Sequence, residues 1–261
     1  MAQNTRAFYR AVSLMLLPLL LASCQPKITE QGKRQLIDAA GLVQQGSHGR
    51  AIDELQRFLQ EYPSSHEAAE AHYLLGLARV RTDQLAQAEE DFETALRGAD
   101  VPILEYYVRL SLANLAFERQ DYARAGKYYG RYVDELPRRA PFHLAYYRYG
   151  LSLQALGQWK QADVQFSRVL YLFPQADILP RVQERFGYTH YAIELGRFSS
   201  FDLASRQREQ LLDLALPLPQ VIRGPEGWCY VNLYGKFSNL AQAQQALERI
   251  TTRIPQAYIV P

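Results

Sequence analysis

Residues 146–174 read YYRYGLSLQALGQWKQADVQFSRVLYLFP, and this stretch decides the fold. Tyr146, Tyr149, Gly150 and Leu153 fall at helical spacing and give a first helix one packing side. Gly157-Gln158-Trp159 turns the chain. Ala162, Phe166, Val169 and Leu170 line a second helix, which Pro174 stops. Working outward, Ala162 has counterparts at Ala125, Ala88 and Ala51, each 37 residues apart. Four positions after each alanine stands a bulky residue: Leu55, Phe92, Tyr129 or Phe166. Twelve positions before each stands a small one, Ala39, Gly76, Ala113 or Gly150, and Gly187 continues that series. A fixed period of this length predicts stacked helical pairs. Small residues let two helices approach, and the ring fills the gap beside them. Such an array presents surface, so the expected work is binding.

The chain has 261 residues and a formal net charge of +2. That length suits one array with an appendage. Near-zero net charge gives no argument for a nucleic-acid partner. The amino terminus reads as a secretory signal: Arg6 and Arg10 are basic, and Val12 to Leu21 is apolar but for Ser13 and Pro18. The run is too short for a transmembrane helix. Cys229, the second of two cysteines, is expected to be a small buried hydrophobe.

No nucleophile motif, phosphate loop or dinucleotide fingerprint occurs, so no enzyme activity and no cofactor are expected. His66 and His72 fall on different sides of a helix, so no metal site is expected either. Glu89-Glu90-Asp91 reads as the solvated side of a helix. Past residue 215, Leu216-Pro217-Leu218-Pro219 cannot continue a helix. Trp228 to Tyr234 alternates as a strand, Ser238 or Asn239 caps a helix bearing Leu240, Ala243, Ala246, Leu247 and Ile250, and Ala257 to Val260 reads as a second strand.

Three resemblances follow. Leu21-Ala22-Ser23-Cys24 resembles the bacterial lipoprotein box, which implies cleavage before Cys24 and lipidation of that cysteine. Acylation would anchor the chain firmly. Gln25, rather than an aspartate, implies the outer membrane, with the body facing the periplasm. If Cys24 is acylated, Cys229 has no disulfide partner in the chain.

The 37-residue units resemble the tetratricopeptide repeat. Gly150, Ala162, Phe166 and Pro174 all match its pattern; Gly76, Ala88 and Phe92 match with Asp100 where proline is usual. The resemblance implies a mainly α fold, a right-handed α-solenoid of about five helical hairpins over residues 32–215. Its first helices would line a concave groove. By that register the partner-binding candidates are Tyr73, Leu77, Tyr107, Leu110, Asn114, Phe117, Tyr147, Leu151, Tyr188 and Tyr191. The fifth hairpin would begin at Pro180 and end in a slipped helix, Phe201 to Ala215.

Tyr230-Val231-Asn232-Leu233-Tyr234-Gly235-Lys236-Phe237-Ser238-Asn239 resembles the first half of a SPOR domain, a family that binds peptidoglycan glycans. Trp228, Tyr230, Asn232 and Tyr234 are then the glycan-binding candidates. The expected plan is a signal at 1–23, a lipidated tether at 24–31, the array at 32–215, a linker at 216–226 and a small β-α-β tail at 227–261. The expected function is a lipid-anchored scaffold of the cell envelope that holds a protein or peptide segment, with peptidoglycan binding as the alternative.

Overall fold

The computed structural model describes residues 28–261 except 136–137, 139–141, 213–218, 225–226 and 228. Cys24 and the signal segment, and also Trp228, lie outside the described residues. The chain forms two compact units, residues 1–112 and 113–261.

The first unit holds helices α1 (Glu30–Gln44), α2 (His48–Glu61), α3 (Ala68–Arg81), α4 (Leu85–Gly98) and the start of α5 (Pro102–Glu118). Leu36 and Ala39 of α1, Ala51, Leu55 and Phe58 of α2, and Ala71, Leu75 and Ala78 of α3 share one apolar core. In the α3–α4 pair, a Cβ on Gly76 would lie 2.6 Å from Phe92. No side chain fits there, which is why the register demands a small residue beneath the ring.

The second unit continues with the end of α5, α6 (Tyr122–Tyr132), a short 3-10 turn (Val133–Glu135), α7 (His143–Ala155), α8 (Trp159–Leu172) and α9 (Leu179–Gln183). Gly150 again meets the ring of Phe166, closer than any Cβ would allow. Tyr146 stacks on Phe173 at 5.7 Å and Tyr147 on Phe166 at 5.9 Å.

The period is written in burial. Ala51, Ala88, Ala125 and Ala162 are all 0% exposed, and Leu55, Phe92, Tyr129 and Phe166 are at most 2% exposed. It is also written in the backbone. Gly46, Asp83, Gln120 and Gly157, again 37 apart, all take positive φ between 60° and 80°. After each, an amide N–H reaches back to the carbonyl five residues earlier: Ser47 to Leu42, Gln84 to Arg79, Asp121 to Ala116 and Gln158 to Leu153. This double closure of a helix end around a left-handed residue satisfies carbonyls the helix would leave bare.

The series ends at Gly187. Helix α9 is five residues long, and Gly187 is exposed at φ +84° with open space around it. The expected fifth hairpin does not form. Tyr191–Phe198 is instead a strand, β1, followed by α10 (Phe201–Leu212), β2 (Gln220–Arg223), β3 (Tyr230–Phe237), α11 (Leu240–Thr251) and β4 (Tyr258–Val260). All pairings are antiparallel, in the order β2-β3-β1-β4. Ile193, Leu195, Leu211, Ile250, Ile254 and Ala257 make the core between sheet and helices. Cys229 is 1% exposed, in keeping with its reading as a small buried residue.

The α/β unit therefore starts near residue 191 rather than 227, and the array gives up its last stretch. Physically, two strands with one helix would have left an unsupported ribbon. The earlier strand-helix-strand supplies the missing half, so Tyr230–Val260 is the second half of the unit, not the first. The two halves repeat each other: Gly196-Arg197-Phe198-Ser199-Ser200-Phe201 matches Gly235-Lys236-Phe237-Ser238-Asn239-Leu240 at a spacing of 39. Ser200 Oγ accepts from the Leu203 N–H and Asn239 Oδ1 from the Gln242 N–H, so both helices are capped alike.

Candidate functional site

Two surfaces carry the candidates. In the first unit Tyr73, Leu77, Tyr107 and Leu110 are each half-buried. The Tyr73 ring stands 6.0 Å from Phe92. Burial raises the Tyr73 hydroxyl above its ordinary pKa. The Tyr107 ring meets Tyr106 edge-on at 5.1 Å. These four side chains are held in place yet keep area open to solvent.

In the second unit the expected set divides. Phe117, Leu151 and Tyr191 come together, with Tyr122, Arg185, Leu240 and Ile259, around a cavity of about 220 Å³. Asn114 is engaged within the protein: its Oδ1 accepts from Tyr129 Oη at 2.6 Å and from Arg148 Nη1 at 2.8 Å. Tyr147 is a correction. It is 6% exposed, packed on Phe166, with the Arg181 guanidinium 5.8 Å from its ring centre. Leu144, one turn earlier on the same helix, is 37% exposed. Tyr188 is exposed, but it sits in the connection before β1 rather than on a helix. Tyr191 opens β1, is 5% exposed and stacks on Trp159 at 4.8 Å. Neither belongs to a fifth repeat.

The junction of the last hairpin with the sheet is tight. The Trp159 indole N–H donates to the Ser238 carbonyl at 2.8 Å. Trp159, Tyr191 and Ala243 form a common buried cluster with Phe237, Leu240 and Ile259 against it.

On the sheet, side chains at paired positions share a face. Ile193 pairs with Tyr234 and Ile259, and these point into the helix-covered core. Of the four glycan candidates, Tyr230, Asn232 and Tyr234 therefore share the helix-covered side, and Trp228 lies outside the described residues. Asn232 is 0% exposed, and its Nδ2 donates to the Ala204 carbonyl and to Gln207 Oε1 of α10. Tyr230 meets Phe201 of α10 edge-on at 5.7 Å. Tyr234 packs beside Phe237 at 6.1 Å, half-buried at the margin of the core. Of the alternation expected over Trp228 to Tyr234, the described part from Tyr230 on is a strand whose even-numbered side turns toward the helices.

The opposite face carries Glu194, paired with Leu233 and Tyr258, while Leu233 pairs in turn with Gln220. Glu194 is held by Arg197 at 3.1 Å, and that carboxylate raises the guanidinium pKa further. Tyr258 is 46% exposed. Its hydroxyl, which bonds to Glu194, is raised above the ordinary pKa, chiefly by desolvation. Next to this row a cavity of about 330 Å³ is lined by His190, Ala192, Gln220 and the β3 residues Leu233 to Phe237, the candidate Tyr234 among them. A tyrosine, an amide and apolar strand residues side by side on this face can contact a polar chain with flat apolar patches. Among the described residues no three His, Cys, Asp or Glu side chains assemble as a metal site, and no helix is long and apolar enough to cross a membrane.

Comparisons with known proteins agree with this division. The SPOR domain family matches residues 187–261. Tetratricopeptide repeat families match residues 69–97 and 144–176. Among solved structures, MamA AMB-1 is similar at TM-score 0.51 and 17% identity, over 71% of this chain and 88% of that one. YrrB, described as a TPR protein with an unusual peptide-binding site, reaches TM-score 0.51 at 20% identity, over 69% of this chain and 80% of its own. The pilF protein of Pseudomonas aeruginosa reaches 0.51 at 17% identity, covering 69% and 75%. At these identities the likeness is one of fold. A search of curated proteins finds no match to the chain. The chain thus carries tetratricopeptide repeats and, at its C-terminal end, a SPOR-like region.

Proposed function

We propose that this protein is a scaffold of the bacterial cell envelope that holds peptidoglycan with its α/β unit and a protein or peptide partner with its helical pairs. The observation that carries the reading is the four-stranded sheet of residues 191–260, which packs one face on α10 and α11 and keeps Tyr258 and Gln220 exposed on the other. That second face offers the exposed Tyr258 and Gln220 and the half-buried Leu233 beside the Glu194–Arg197 pair, groups suited to a sugar chain. The lipoprotein box at Cys24 supports attachment to the outer membrane with the body in the periplasm, where the wall lies within reach. The half-buried Tyr73, Leu77, Tyr107 and Leu110 support a peptide partner, since rigid tyrosines are favoured anchors.

The full chain mixed with purified wall sacculi and centrifuged is expected to pellet with them. Tyr258→Ala combined with Gln220→Ala removes exposed contact area and is expected to weaken pelleting about tenfold or more. Leu77→Ala with Leu110→Ala is expected to leave it unchanged. A wild-type chain that stays in the supernatant, or a Tyr258→Ala, Gln220→Ala variant that pellets as well as wild type, would refute the wall-binding role.

A further inference from the structure

Two exposed apolar patches on this chain sit beside opposite charges. In the first unit the entry into α5 reads Asp100-Val101-Pro102-Ile103. Val101 is 41% exposed and Ile103 58% exposed. Beside them the Asp100 carboxylate meets the exposed His66 at 2.6 Å, and no lysine or arginine pairs with it among the described residues. In the second unit α8 turns Val164 and Tyr171 outward, 51% and 84% exposed. They stand two helical turns apart and share one side of the helix. With Leu172 they wall a cavity of about 570 Å³, which Tyr146 and Ser167 also line.

Three charged side chains line that cavity: Asp134, Arg138 and Arg168. Asp134 accepts from Arg168 at 2.6 Å. The exposed Arg138 pairs with no carboxylate among the described residues, and residues 136–141 contain no Asp or Glu. The wider charge divides the same way. Residues 28–112 hold 14 Asp and Glu against 8 Lys and Arg, a balance of −6, and residues 113–261 hold 13 against 18, a balance of +5. Complementary potentials steer which surfaces meet. An exposed ion pair contributes little by itself, so burial of the apolar side chains must supply the strength while the charges set the register.

We propose that copies of this chain associate head to tail, the Asp100–Ile103 corner of one seated in the α8 cavity of the next. Ile103 lies against Tyr171 and Val164, and Asp100 pairs with Arg138. The contact joins two different patches, so each bound copy still offers a free corner or a free cavity and the row can continue. This goes beyond the binding of wall and peptide and stands without it.

The test is cross-linking of two differently tagged forms of the full chain in the same cells. One carries Ile103→Cys and the other Tyr171→Cys, so only a contact between copies joins the two tags. Both sites are exposed, and melting temperature checks each fold. Oxidation with copper–phenanthroline is expected to yield the mixed 103–171 product roughly fivefold or more above the 103–103 and 171–171 products, because a disulfide forms only where Cα atoms come within about 7 Å. The wild-type chain, with Cys24 and the buried Cys229, is the control for background. Arg138→Glu in the Tyr171→Cys form sets two carboxylates against each other and is expected to lower the mixed yield about tenfold. Asp100→Arg in the Ile103→Cys form is then expected to restore it. No mixed product, or equal yields of all three products, overturns the association. A mixed product that Arg138→Glu leaves unchanged, or that Asp100→Arg fails to restore, overturns the pairing of Asp100 with Arg138 and the seating built on it.

Discussion

Phe166→Ala is expected to lower the unfolding free energy by roughly 3–5 kcal/mol, the cost of emptying a fully buried ring site. Phe166 is 0% exposed, lies on Gly150 and touches Tyr147. Neither Gly150, which has no side chain, nor Ala162 can extend to refill the space. The loss should appear as a lower midpoint in urea, with the reporter placed in the second unit. Phe166→Leu refills part of the volume and is expected to cost less. An unchanged midpoint for Phe166→Ala would mean that the ring does not wedge the α7–α8 pair apart.

Asp91→Ala is expected to cost roughly 3 kcal/mol, the lower end for removing one partner of a buried charge pair. The Asp91 side chain is 6% exposed and accepts from Arg79 Nη1 at 2.6 Å, with His72 Nδ1 at 3.2 Å. Its removal leaves the Arg79 guanidinium, 15% exposed, without its carboxylate. Replacing Asp91 and Arg79 together by apolar residues of similar shape is expected to cost less than Asp91→Ala alone, because no orphaned charge remains. Equal stability of Asp91→Ala and wild type, measured by urea unfolding of the first unit, would show the pair to be solvated.

Asp91 also shows how the sequence was misread. Glu89-Glu90-Asp91 looked like one solvated run. But Asp91 follows Ala88 by three and precedes Ala95 by four, which puts it on the buried stripe with Phe92. Helical phase outranks charge in deciding where a residue points. The helical pairs themselves were plain in the sequence because burial selects for size at fixed positions. Small residues under rings cannot vary without cost, so the period survives in the letters.

The failure at Gly187 has an equally physical origin. A glycine in register could continue the array or take the left-handed conformation of a turn, and Gly187 does the latter in the turn that follows α9. The apolar run at Tyr191, Ala192, Ile193 and Leu195 suited a buried strand as well as a helix. The repeat of Gly-basic-Phe-Ser at 196–199 and 235–238 was the signal that would have separated them, because it pairs β1 with β3 as halves of one unit. Without β1, nothing in the sequence says which side of β3 the helices cover, so Tyr230, Asn232 and Tyr234 stand as glycan candidates there. The cavity around Arg185 was beyond sequence reasoning altogether. Its walls come from α5, α7, α11 and β4, which no periodicity connects.

Everything functional depends on residues 191–260 forming one sheet rather than a further pair of helices. Nuclear Overhauser contacts measured on the isotope-labelled full chain test this most directly. Cross-strand backbone contacts linking Ile193 to both Tyr234 and Ile259, and Val221 to Asn232, are the predicted result. Helical contacts between each residue and the third one after it, running through 191–198, would contradict the account.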